Sequence, residues 1–245
     1  MLLLADSGSS KTTWALLDVK RKTIVTKCET IGFNPFHHSE TEILATIKQE
    51  SQLVKYVDKI DVLHYFGAGC SSLERCEQMK LIFQKHFTSA NITIKSDLWA
   101  AVLATCGLQK GVICILGTGS NACYFDGKQI KQYTPALGYI LGDEGSGSHL
   151  GKQLLTKYLY KQLPGDLHSL FEKKYNLNKE NVLEAIYKGR NPKKYLAKYS
   201  HFLSENKEHY YKRLILLDHC LYYLDKYQVL IAYLRLCRLR PIILF

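Results

Sequence analysis

Gly111-Val112-Ile113-Cys114-Ile115-Leu116-Gly117-Thr118-Gly119-Ser120-Asn121 is the stretch whose reading decides the fold. Val112 to Leu116 is a continuous apolar run, the pattern of a strand buried on both faces. Gly117 and Gly119 then break the run, and Thr118, Ser120 and Asn121 load the turn with polar groups. A buried strand that ends in glycines and hydroxyls lets backbone N–H groups approach a ligand above the turn, as phosphate sites require. Taken alone, the same pattern also fits an ordinary hairpin turn.

A second unit of this kind opens the chain. Leu2 to Ala5 is apolar, Asp6-Ser7-Gly8-Ser9-Ser10-Lys11-Thr12-Thr13 follows, and Trp14 to Leu17 is apolar again. Two strand–turn–strand units about a hundred residues apart suggest one nucleotide held by two turns.

Composition bounds the class. With 245 residues, the chain can bury a large core in one or two domains. Hydrophobic residues at 47% and charged residues at 22% are ordinary for a soluble globular protein. Met1 to Ala5 is too short for a signal peptide, and no apolar run is long and uncharged enough to span a bilayer. The eight cysteines, Cys28, Cys70, Cys76, Cys106, Cys114, Cys123, Cys220 and Cys237, form no Cys-x-x-Cys pair. That spacing points to free thiols in a reducing cytoplasm rather than to disulfides or zinc. The net charge of +11 comes from lysines scattered at helical spacing, mostly between Lys152 and Arg213. Lys173-Lys174 and Lys193-Lys194 are only pairs, so a solvated basic helix face is expected and no nucleic-acid partner.

In chain order, Thr23 to Thr30 reads as a third strand and Gly32 to His38 as a loop containing Pro35. Ser39 and Glu42 form a capping box for a helix that directs Ile43, Leu44, Ile47, Leu53 and Val54 to the core. A strand over Asp61 to Phe66, a helix from Ser71 or Ser72 to Phe87, and a strand over Asn91 to Lys95 follow. Ser96-Asp97 opens a helix ending near Gly107. After the Gly111 strand, Ala122 to Asp126 and Gln129 to Tyr133 read as strands joined across Gly127. The architecture thus restarts, and a boundary falls at Gly107–Lys110, giving domains 1–107 and 108–245. Asp143 and Glu144, within Leu141-Gly142-Asp143-Glu144-Gly145-Ser146-Gly147, are expected at the head of a helix running to about Leu163.

These motifs together resemble the actin/Hsp70/sugar-kinase superfamily. Asp6, Gly8, Ser10 and Thr12 fit its phosphate-1 pattern, and Leu116 to Asn121 looks like its phosphate-2 turn. Gly142-Asp143-Glu144-Gly145-Ser146 is similar to the motif of one branch, the N-acetylglucosamine kinases and BadF/BadG/BcrA/BcrD-type ATPases. Phe66-Gly67-Ala68-Gly69-Cys70 and Ser96-Asp97 fall where that branch has corresponding motifs. The resemblance covers roughly Met1 to Glu208. It implies an α/β chain of two ribonuclease H-like (actin-like ATPase) domains, with mixed sheets flanked by helices.

The resemblance also implies roles. Asp97 is the base for a sugar hydroxyl that attacks the γ-phosphate of ATP, and Asp6 orients Mg²⁺ through water. Gly8, Ser10, Lys11, Thr12, Gly117, Thr118 and Gly119 hold phosphates. Asn34, Thr118 and Asp143 bind the amino sugar, most simply N-acetylglucosamine. Catalysis would come from positioning and charge stabilisation. Lys11 equally fits solvent, and Asp97 taken alone reads first as a helix N-terminal acid. A P-loop is excluded, because Ser10 and Leu4-Ala5 stand where its glycines are required. A homodimer is left open. The rival in this family is an activator ATPase coupling hydrolysis to electron transfer, which needs cysteines placed to share an iron–sulfur cluster. Cys70 and Cys106 are candidates only by default. A non-catalytic sugar- or nucleotide-binding protein is the third reading.

From about Arg213 the text departs from the family. The strand and Phe-Val-Gly-Ser-type turn that pack on adenosine are not legible, and no glycine follows Gly189. The second domain is therefore expected to be incomplete at its C-terminus. Its tail is expected to stay outside the fold and to leave the adenosine side open. Codons compatible with Ile231 to Arg240 also permit a family-like motif in a shifted frame.

Overall fold

The structure, a computed structural model, describes residues 1–8, 10–33, 35, 38–206 and 209, and the backbone of 241–244. The chain divides into two compact units, Met1–Gly107 and Leu108–Phe245. Each is α/β, with a mixed sheet and flanking helices.

The first unit begins with three antiparallel strands, β1 (Leu2–Ser7), β2 (Lys11–Asp18) and β3 (Thr23–Ile31). Helices α1 (Glu40–Gln49) and α2 (Ser51–Tyr56) lead to β4 (Val62–Gly67), which lies parallel to β1. Helix α3 (Leu73–Gln84) leads to β5 (Asn91–Ser96), parallel to β4, and α4 (Asp97–Thr105) follows. The sheet order is β3-β2-β1-β4-β5. Alternation in β1 and β2 buries Leu3, Ala5, Trp14 and Leu16. Trp14, Phe33, Tyr65, Phe83 and Phe87 fill the core, with Tyr65 and Phe83 ring centroids 4.8 Å apart.

The capping box forms as read: Ser39 Oγ accepts the Glu42 N–H, and the Glu42 carboxylate accepts the Ser39 N–H. The single helix expected beyond it is two helices. Glu50 is extended and caps both α1 and α2. An unbroken helix with Ile43 and Ile47 inward would carry Val54 inward and Leu53 away. The break re-phases the chain, so Leu53 is buried and Val54 is 44% exposed.

In the second unit, β6 (Gly111–Leu116) and β7 (Ser120–Phe125) form a hairpin, and the short β8 (Ile130–Lys131) pairs with β7. Val112, Ile113 and Cys114 are buried, as a two-sided strand requires. Helix α5 (Gly138–Leu141) precedes α6 (Gly147–Leu159), α7 (Gly165–Tyr175), α8 (Lys179–Tyr187), α9 (Pro192–Ala197) and α10 (Ser200–Glu205). The helices share their own core, including Leu154, Leu155, Phe171, Tyr199 and Phe202. Lys173, Lys174 and Lys194 are exposed, in keeping with a solvated basic face. Lys193 is not exposed in that way.

Two expectations for this unit are corrected. Asp143 and Glu144 do not head the long helix. Ser146 caps α6 through the His149 N–H, Gly147 begins it, and it ends at Leu159. Asp143 instead turns through the left-handed region at φ 55. The tail is not wholly outside the sheet either. A last strand, β9 (Pro241–Leu244), lies parallel to β6, with Val112 opposite Pro241 and Ile115 opposite Leu244. A buried strand with only one neighbour would leave its N–H and C=O groups unpaired, and this apolar run supplies the second neighbour. The expectation for 210–240 falls outside the described residues. Among the described residues no helix is long and apolar enough to cross a membrane.

Candidate active site

In the first unit, three parallel strands end level with one another. Ser7 of β1 is in register with Gly67 of β4, and Gly67 with Ser96 of β5. This brings Asp6, the Gly8 turn, the Gly67–Gly69 turn and Asp97 to one edge of the sheet, outside its carboxyl ends. Ligands of open α/β sheets bind at such edges.

The first turn rests on a buried relay. The Phe33 N–H donates to Ser7 Oγ at 3.1 Å, Ser7 Oγ lies 2.7 Å from Thr12 Oγ1, and Thr12 Oγ1 donates to the Ile31 carbonyl at 3.0 Å. Thr12 has one proton and gives it to Ile31, so Ser7 donates to Thr12. Thr12 is fully buried and stands beneath the turn. Its hydroxyl is engaged by Ser7 Oγ and the Ile31 carbonyl. Within the turn, the Gly8 N–H donates to the Lys11 carbonyl at 3.0 Å. Lys11 Nζ meets Glu29 Oε1 at 2.6 Å with both groups exposed, a pair that little energy holds in place. Ser10 is half-buried. Asn34 lies outside the described residues.

Gly32 does what its loop assignment did not suggest. A Cβ there would lie 2.2 Å from the Gly8 carbonyl oxygen and 2.9 Å from the backbone nitrogens of Ser10 and Lys11. The third strand's exit is therefore pressed against the first turn. Gly67 has a comparable reason: a Cβ would come within 2.3 Å of the Tyr65 ring. Tyr65 is buried, donates to the Phe33 carbonyl at 3.2 Å, and its phenol is held far above its ordinary pKa by burial. Ala68 N–H donates to the Ser7 carbonyl at 2.8 Å, so the Gly67–Gly69 turn is tied to β1.

Asp97 is the first residue of α4 and half-buried, and its carboxylate accepts the Leu98 N–H at 2.9 Å. Asp6 is exposed, yet desolvation by the surrounding protein raises its carboxyl above the ordinary value, and the Lys11 charge offsets part of that. An open carboxylate at a strand end suits outer-sphere contact with Mg²⁺, which keeps its waters. Among the described residues no group of three or more His, Cys, Asp or Glu side chains could hold a metal directly. Cys70 is buried, and burial pushes its thiol up to about 12.

In the second unit, Gly117 is exposed and Thr118 and Gly119 are half-buried. The Gly117 N–H donates to the Gly119 carbonyl at 2.9 Å. The turn also caps α6. Gly147 N–H donates to the Gly117 carbonyl at 2.8 Å and Ser148 N–H to the Thr118 carbonyl at 3.1 Å. The turn and the Gly142–Ser146 segment are thus one construction. Asp143 is 5% exposed. Its Oδ1 accepts the Ser120 N–H at 3.1 Å, and its Oδ2 forms an ion pair with Lys193 Nζ at 2.8 Å. That ion pair lacks hydrogen-bond alignment. The carboxylate is thereby engaged within the unit, beside the turn. Neither Gly32 nor Lys193 belongs to a turn motif, and Lys193 reads in sequence as one more surface lysine.

Comparison with solved structures gives clear relatives. A candidate N-acetylglucosamine kinase from Porphyromonas gingivalis is 30% identical, aligned over 99% of this chain and 85% of its own, with a TM-score of 0.89. A candidate N-acetylglucosamine kinase from Chromobacterium violaceum aligns over 100% of this chain and 86% of its own at 18% identity and a TM-score of 0.73. A ROK family glucokinase from Streptomyces griseus, solved with glucose and AMPPNP, aligns over 81% and 74% at 14% identity and a TM-score of 0.50. The last two speak to fold alone. No protein-family model and no curated protein matches the chain.

Proposed function

The chain belongs to the N-acetylglucosamine kinase-like family, and from that premise we propose that it transfers the γ-phosphoryl group of ATP to a hydroxyl of an amino sugar, N-acetylglucosamine in the first instance. The observation that carries this reading is the level ending of β1, β4 and β5, which places Asp6, the Gly8 turn and Asp97 on one edge. The order of the first sheet supports reading it as a ribonuclease H-like, actin-like ATPase domain, and we read the second unit in the same way.

In this mechanism the sugar hydroxyl oxygen attacks the γ-phosphorus. Its proton passes to the Asp97 carboxylate, the bond to the β–γ bridging oxygen breaks, and ADP leaves. Asp97 suits the part because the Leu98 N–H holds its carboxylate at the head of α4, on the edge where β1, β4 and β5 end. Backbone groups of the Gly8 and Gly117–Gly119 turns, with Ser10 and Thr118, hold phosphate oxygens. Lys11, on a weak surface pair with Glu29, is free to turn toward negative charge. Asp6 would hold Mg²⁺, and the ion would neutralise phosphate charge. Asn34 and Thr118 contact the sugar. Asp143, already shared by Ser120 and Lys193, acts chiefly by shaping the second turn.

The test is a purified-chain assay with MgATP and N-acetylglucosamine, run beside N-acetylmannosamine and glucose. Equimolar ADP and N-acetylglucosamine phosphate is the expected result. ADP release without any sugar phosphate would refute the kinase reading and favour an ATPase.

A further inference from the structure

The Asp143–Lys193 pair carries an inference that rests on the proposed phosphate role of the Gly117–Gly119 turn and deepens it. The pair is packed against the backbone of that turn. A Cβ on Gly119 would lie 2.4 Å from Lys193 Nζ and 2.7 and 2.9 Å from the two Asp143 carboxylate oxygens. One oxygen of Asp143 takes the Ser120 N–H at the turn's exit, and the other faces the ammonium group. Asp143 is a non-glycine residue at φ 55, a conformation that persists only where the surroundings hold it.

Lys193 is delivered by construction. Asn191 caps α9 through the Lys194 N–H at 3.0 Å, and Pro192 occupies its first turn. The helix is pressed onto α6 at Gly151, where a Cβ would lie 1.9 Å from the Leu196 carbonyl oxygen. Gly147 packs nearby on Ala197 and Ser200. The Lys193 side chain is 23% exposed, unlike its neighbour Lys194.

A buried carboxylate beside a turn meant for phosphate oxygens is an electrostatic conflict. Like charges repel in inverse proportion to distance, and water screens them poorly where it is excluded. We propose that Lys193 is a positioning residue: it cancels the Asp143 charge and holds that carboxylate on the Ser120 N–H, so that the Gly117–Gly119 turn accepts the phosphates of a nucleotide. Lys193 acts through Asp143 and has no need to touch the phosphates.

The experiment measures MgADP affinity by calorimetry and Ser120 amide exchange by NMR on the full chain. Lys193→Met should raise the ADP Kd by roughly tenfold or more and speed Ser120 exchange by a similar factor, because a buried carboxylate loses its partner. Lys193→Arg should stay within about threefold of the parent protein, because the charge remains. The double variant Asp143→Asn/Lys193→Met should recover to within about threefold, since neither charge remains and the amide oxygen still accepts from Ser120. A double variant as weak as Lys193→Met would show that Lys193 grips phosphate itself and would overturn the proposal. Unchanged Ser120 exchange in Lys193→Met would overturn it as well. Should Lys193→Met not fold, the double variant decides by itself: ADP affinity within about threefold of the parent protein supports the proposal, and a loss of about tenfold overturns it. The exchange readout needs no nucleotide. A parent chain that binds no ADP would therefore sink the proposed function while Ser120 still decided the role of Lys193.

Discussion

Ser7 Oγ and Thr12 Oγ1 lie 2.7 Å apart with both side chains completely buried, one strand-end beneath the turn that joins them. The contact is the middle of a relay from the Phe33 N–H to the Ile31 carbonyl. It welds β1, β2 and the exit of β3 together under the Gly8 turn. Thr12→Val keeps the shape and deletes the hydroxyl, which should lower unfolding free energy by about 1–3 kcal/mol in urea denaturation. The nucleotide KM of the folded fraction should move by less than about threefold. A stable variant with a large KM defect would place the Thr12 hydroxyl among the phosphate ligands.

Gly32 should be intolerant of even one methyl group. The atoms a Cβ would strike belong to the backbone of Gly8, Ser10 and Lys11, so the turn itself has to move. Gly32→Ala is expected to cut kcat/KM by about a hundredfold, the usual penalty for misplacing a site by an ångström. Gly165→Ala is the control, because nothing lies within 4 Å of a Cβ there. Equal activity in the two variants would show that the first turn does not depend on Gly32.

Asp97→Asn removes the proposed base and keeps its size. It should lower kcat by about two to four orders of magnitude with little change in KM. A kcat near that of the parent chain would take Asp97 out of the mechanism.

Asp126 gives a pH test independent of activity. Its carboxylate accepts the N–H groups of Gln129 and Lys128 and pairs with Lys131, which lowers its pKa from 3.8 to about 2. A carboxyl depressed in the folded state adds stability at pH above its unfolded value. That stability fades as pH falls from 3.8 toward about 2. Carboxyl ¹³C shifts should place the Asp126 midpoint near 2. A midpoint at the ordinary value would mean that the β7–β8 turn is not closed by this side chain.

What was legible in the sequence was periodic or punctuated. The Val112–Leu116 run, the Ser39–Glu42 box and the glycine turns all act within a few residues, so local patterns announce them. The split at Glu50 was hidden because helix phase depends on which side chain the core accepts. Asp143 looked like a helix-head acid, since acids ahead of a helix are common and φ leaves no trace in a non-glycine residue. Lys193 and Gly32 were illegible for another reason. Their importance lies in atoms distant in sequence, Asp143 in one case and the Gly8–Lys11 backbone in the other. The pairing of 241–244 was missed because an apolar tetrapeptide without flanking turns carries no sign of its partner.

The place of β9 beside β6 has a consequence for biosynthesis. The first unit draws its sheet from an early, continuous span and is complete once Gly107 has emerged from the ribosome. The second unit's central strand emerges immediately afterwards but must wait for Pro241–Leu244 before both of its flanks are covered. Throughout that interval a strand rich in Val, Ile and Cys has one open edge, the feature that recruits other nascent chains. Slow elongation or a premature stop before Pro241 would prolong that exposure, so chaperone demand should fall on the interval between the synthesis of β6 and that of β9.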